Sequence, residues 1–150
     1  MVTTAERPEL LPLVAHWLHE AFYREAGFSY EGTLAEISRP TAAIGPPQYF
    51  VLLRDEQPVG TATLDDADLD ERPELTPWLA NVVVVPEARG QGHVHRLIGA
   101  VEAACRVAGV ATVWLHTQTA ERVYARGGWV TVETVDRVGK SAVTLMRRDL

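Results

Sequence analysis

The chain has 150 residues, 47% hydrophobic and 23% charged, which suits one soluble domain able to bury about two thirds of its unfolded surface without a staple. No apolar run approaches the roughly 20 residues of a membrane span, and Met1 to Leu10 lacks a basic start followed by an apolar block, so a cytoplasmic protein is expected. The net charge of −6 disfavours nucleic acid, and the single Cys105 excludes an internal disulfide. Among the five histidines no pair has a third ligand at metal spacing, so no metal is expected.

In chain order, residues 8–24 read as a first helix, with Leu10, Leu13, Val14, Trp17, Leu18, Ala21 and Phe22 recurring at three and four and Gly27 as its stop. A shorter helix is predicted over 33–43, ending before Gly45-Pro46-Pro47. Residues 48–54 and 59–64 read as a hairpin around the polar turn at 55–58. A polar loop follows, then a strand at about 79–85 that carries four consecutive valines. A long helix comes next, its apolar residues Val94, Leu97, Ile98, Val101, Ala104, Cys105 and Ala108 marking one buried face. Residues 112–116 form a short strand, 119–126 a brief helix closed by Gly127-Gly128, and 129–135 with 142–147 two final strands. No linker or repeat divides the chain, so 1–150 is read as a single domain.

The organising stretch is NVVVVPEARGQGHVHRLIGAVEAACRVAG, Asn81 to Gly109, read as strand, turn and helix. A glycine-containing turn feeding a helix start aims several backbone N–H groups and the positive end of the helix dipole at one spot, which suits a phosphate. Arg89, His93, His95 and Arg96 cluster there; cations are unfavourable at that end of the dipole, so an anionic partner accounts for them better than a solvated helix start does. Val94 opens the buried stripe of the helix, and its N–H can still face an anion.

These residues resemble the acetyl-CoA-binding motif of the GNAT superfamily of N-acetyltransferases: Arg or Gln, two residues, Gly, one residue, then Gly or Ala. Arg89, Gly92 and Val94 hold those places, Val94 departing from the small residue of the pattern. A second landmark is TQTAERVYARGGW, in which Thr117, Ala120, Tyr124, Gly128 and Trp129 fall at family spacings; Thr117 stands for the usual Asn and Trp129 for Phe. The resemblance covers nearly the whole chain, and RPELTPWLA has the texture of small bacterial members whose acceptor is unassigned. It implies an α/β fold of the GNAT kind, with a mixed, mainly antiparallel sheet of six or seven strands flanked by helices. It also implies that the sheet splays between its fourth and fifth strands and admits acetyl-CoA as co-substrate. Backbone groups of Val82, Val83 and Val84 would then pair with the pantetheine arm, and Arg89, Gly90, Gln91, Gly92, His93, Val94 and His95 would surround the phosphates. A homodimer through the C-terminal strand is compatible with the resemblance.

By the same resemblance Tyr124 would lie near the cofactor sulfur as general acid, since a phenol stays protonated at neutral pH; otherwise its ring packs beneath the sheet. The strand at 79–85 carries no carboxylate, so a common family position for the base is empty. His116, at the end of the next strand, is the best single base, its alternative being a half-exposed strand-end histidine. The loop DDADLDERPE, Asp65 to Glu74, sets six acids against one arginine; it either attracts a cationic amine or is a solvated loop that keeps the protein soluble. The function expected is acetyl transfer from acetyl-CoA to a primary amine of a small molecule or peptide. The competing reading is a non-catalytic acyl-CoA-binding regulatory domain.

Overall fold

A computed structural model describes residues 1–150. Strands β1 (Val2–Thr3), β2 (Gln48–Arg54), β3 (Gln57–Asp65), β4 (Trp78–Val84), β5 (Thr112–Thr117), β6 (Val130–Arg137) and β7 (Lys140–Asp149) form one sheet in the order β1-β2-β3-β4-β5-β7-β6. Every neighbouring pair is antiparallel except β4 with β5. The expected GNAT-type sheet is therefore present, with seven strands. β1 was not anticipated; two residues are too short to show a period, and its pairing of Val2 with Val51 is purely tertiary.

The first helical stretch is three pieces rather than one. A 3₁₀ turn (Pro8–Leu10) leads into α1 (Leu11–Leu18), which widens into a π-turn over His19–Tyr23. Pro8 and Pro12 occupy opening positions, where a missing N–H is tolerated. α2 spans Tyr30–Ile37, earlier than expected, because the Ser29 hydroxyl accepts the Gly32 N–H at 3.0 Å and caps its start. Val14, Ala15, Leu18 and Ile37 of this pair bury against Tyr49 and Val51 on one face of the sheet.

α3 (His93–Val107) covers the opposite face, packing Leu97, Ile98, Val101 and Cys105 against Leu52, Leu64, Val84, Val113 and Leu115. Full burial of each such side chain stabilises the fold by about 1.5–3 kcal/mol. α4 (Glu121–Arg126) follows β5 and lies on the same side, with Tyr124 and Trp129 against this cluster. β3 begins at Gln57, so the hairpin turn is only Asp55-Glu56; both have positive φ, 50° and 63°, as a two-residue hairpin requires.

β4 carries the feature that opens the sheet. Its register with β3 runs Thr61↔Val83 and Thr63↔Ala80, so β4 spends one extra residue there, and Asn81 takes it with φ 55°. The bulge resets the alternation, so that Leu79, Val82 and Val84 all face the α3 core. On the other edge, β4 keeps a single register pair with β5, Trp78↔Trp114, and beyond it the two strands part.

Candidate active site

The turn after β4 is shaped by two glycines in left-handed conformations. A 3₁₀ turn over Pro86–Ala88 leads to Gly90 (φ 75°) and Gly92 (φ 78°), conformations that a side chain would strain. A Cβ at either glycine would meet no protein atom within 4 Å, so space beside this backbone is open. No side chain caps the first turn of α3 and no acid lies in it, so its leading N–H groups have no side-chain partner. A cavity of about 170 Å³ sits there, lined by Val84, Ala88, Arg89, Gly90, Gly92, His93, Val94 and His95.

Most of the residues expected at the phosphate site thus meet around one cavity, but their side chains differ in task. Arg89 Nε donates to Val84 O at 3.0 Å and fastens the turn to β4. Gln91 Oε1 accepts from Arg54 Nη1 at 2.7 Å, which brings a second cation to the turn from the end of β2. Val94 is half-buried against the α3 core and His95 is exposed. His93 departs from the expected cation facing the phosphates: it is only 6% exposed, its ring lies on the core face of α3, and both ring nitrogens are buried without a hydrogen-bond partner. Leaving an imidazole so costs about 1–3 kcal/mol.

Val82 to Val84 line the β4 edge from which β5 has parted, so no strand pairs with their outward backbone groups. His116 lies on β5, two residues beyond the Trp78↔Trp114 pair, at the start of the opening. Its ring meets Trp78 edge-on at 6.0 Å between centroids. Its Nε2 is 2.9 Å from Asp68 Oδ2, with the two side chains 21% and 26% exposed.

Tyr124 enters from α4. Burial, and then the nearby Asp68 charge, push its phenol up to about 12, so it is neutral throughout the physiological range. Its ring packs edge-on against Trp129 at 6.2 Å. The same Asp68 charge reaches Tyr23, in the π-turn after α1, where burial leads in raising the phenol to about 12. Tyr23 Oη accepts from Asn81 Nδ2, the side chain of the bulge, at a long 3.5 Å. Asp68, Tyr23, Asn81 and Arg54 were missed in the sequence. Asp68 was seen only as one acid of a charged loop, and the others carry no local signal, since each acts through a partner at least 37 residues away.

A search of curated proteins returned no match. Among solved structures, an aminoglycoside 6'-N-acetyltransferase complexed with coenzyme A is similar in fold, with a TM-score of 0.77 at 14% identity over 99% of this chain and 97% of that one. The aminoglycoside 6'-N-acetyltransferase from Enterococcus faecium gives a TM-score of 0.75 at 15% identity, covering 99% and 97%. An acyl-CoA N-acyltransferase from Pseudomonas aeruginosa is 25% identical, with a TM-score of 0.61 over 90% and 87%. The model of the acetyltransferase (GNAT) family matches residues 11–129, so the chain belongs to the GNAT acetyltransferases, whose co-substrate is acetyl-CoA.

Proposed function

We propose that this protein transfers the acetyl group of acetyl-CoA to a primary amine of a small molecule or peptide, by direct attack of the amine on the thioester. The observation that carries this reading is the opening between β4 and β5, with an uncapped helix start and its cavity at one end and the His116–Asp68 pair on its wall. A diphosphate would find there the free N–H groups of the helix start and the open sides of Gly90 and Gly92. Val82 to Val84 would hold the pantetheine arm by strand-like pairing, one of their N–H groups polarising the thioester carbonyl.

The acceptor arrives as an ammonium with three protons, of which the amide keeps one. His116 takes the first and returns it to solvent, freeing the lone pair. As the C–N bond forms and the C–S bond breaks, Tyr124 gives its phenolic proton to the departing sulfur. The second proton shed by the nitrogen restores the phenol. A phenol raised to about 12 is a weak donor by itself, so Tyr124 acts as a relay between nitrogen and sulfur rather than as a free acid. Cys105 takes no part.

A paired histidine and a neutral tyrosine support turnover over the non-catalytic binding domain, which needs neither. The test is acetyl-CoA-dependent release of free thiol with a panel of peptide N-termini, polyamines, aminoglycosides and amino acids. Release with at least one amine is expected. Cofactor binding without release against any of them would return the reading to a sensor.

A further inference from the structure

We propose that Asp68 is a positioning residue for catalysis: it holds His116 with a proton on Nε2, leaving Nδ1 as the basic nitrogen, and balances the imidazolium once a proton arrives. The inference rests on the reading of His116 as the base.

The acidic loop does not act as a uniform field. Asp65 is committed to Arg39, whose Nη2 lies 2.5 Å from its Oδ1. Asp66, Asp70 and Glu74 are exposed and Glu71 half-buried, none of them paired with a cation; Asp68 belongs to the same exposed stretch of chain but turns its side chain, 26% exposed, onto His116 at 2.9 Å. The segment that carries it is pinned. Leu69 is only 4% exposed and packs with Trp78, Val143 and Leu145, as a peg driven into the sheet beside the opening. The Arg72 N–H returns to Leu69 O at 2.9 Å, and the Arg72 guanidinium reaches Glu133 of β6 at 2.7 Å. Trp78 Nε1 donates to Leu75 O at 2.7 Å, fixing the exit of the loop into β4. A solvated loop whose only task is solubility has no reason to bury a leucine and brace its flanks.

The chemistry follows from atoms. A neutral imidazole donates from one nitrogen and accepts at the other, and a carboxylate 2.9 Å from Nε2 selects the form with the proton there. When Nδ1 receives the proton of the acceptor ammonium, the new charge lies beside a carboxylate that is three-quarters shielded from water, where attraction is stronger than between exposed side chains. Asp68 is also the acid whose charge is felt by Tyr124 on one side of the opening and by Tyr23 on the other.

Steady-state kinetics with the best amine of the thiol-release panel test this on the full chain. Asp68→Asn should lower kcat roughly 10- to 100-fold, a part of the 10²–10⁴ that a positioned base supplies, with the KM for acetyl-CoA unchanged. Asp68→Glu should recover most of kcat, and Asp66→Asn and Asp70→Asn, with the same change of charge, should retain it. Adding Asp68→Asn to His116→Gln should lower kcat no further. Should Asp68→Asn fold poorly by its melting curve, Asp68→Ser replaces it. Full kcat in a folded Asp68→Asn while His116→Gln is impaired would overturn the inference alone, as would additive losses in the double variant. Full kcat in His116→Gln would overturn the base reading and this inference with it.

Discussion

Trp129 donates its indole N–H to the Glu102 carboxylate at 3.1 Å, joining the end of α4 to the middle of α3 in the interior. Arg148 and Arg106 flank the same carboxylate, each at 3.7 Å, so the charge is balanced where it is buried. Trp129 in turn backs the ring of Tyr124. Trp129→Phe would keep an aromatic ring but lose the donor and leave a gap, and should lower stability by about 1–3 kcal/mol in a urea titration. Because the surface that orients Tyr124 changes too, kcat should fall while the KM for acetyl-CoA holds.

Tyr124→Phe removes the hydroxyl and little else. The expected outcome is a loss of roughly 10²-fold in kcat with an unchanged melting midpoint. In the parent enzyme no alkaline limb from this phenol should appear below about pH 11, since the group stays protonated to about 12. Unchanged turnover would remove Tyr124 from the mechanism.

Four groups tie stability to alkaline pH, one of them Tyr49, whose phenol is also pushed up by burial. Burial raises Tyr23 and Tyr124 from 10.0 to about 12 and Cys105 from 9.0 to about 11. Each binds its proton more tightly folded than unfolded, so its contribution is complete below the unfolded value and disappears as pH rises through the folded one. Urea midpoints should be flat with respect to these groups below about pH 9 and decline towards pH 12, less steeply in Tyr23→Phe. The Cys105 thiol should resist alkylation in the native protein, so a thiol-release assay reads coenzyme A alone.

Gly92→Ala separates folding from binding. A Cβ there meets nothing within 4 Å, so the folded chain bears only the strain of a left-handed alanine, roughly 1–2 kcal/mol. The same methyl projects into the space beside the free N–H groups. The KM for acetyl-CoA should rise at least tenfold, a larger change than the stability loss explains.

The valine strand, the glycine turn and the α3 stripe are local patterns, and they located β4, the turn after it and the helix. His93 had a readable signal that composition obscured: it precedes Leu97, Val101 and Cys105 at successive steps of four, so it lies on the buried face despite its polarity. Leu69 was a similar signal, one apolar residue among acids, and it fixes Asp68. The pairing of Asp68 with His116 was not legible, because it joins residues far apart in the chain through a loop shaped by tertiary packing. The π-turn at Tyr23 and the Asn81 bulge likewise depend on neighbouring elements rather than on their own residues.

The most direct test of cofactor placement is a titration of ¹⁵N-labelled protein with coenzyme A, followed by amide chemical shifts. The account expects the largest shifts at Val82 to Val84 and Gly90 to His95. Shifts confined to the separate groove formed by Thr3, Glu6, Thr41 and Gln48, or no shifts at millimolar coenzyme A, would contradict it.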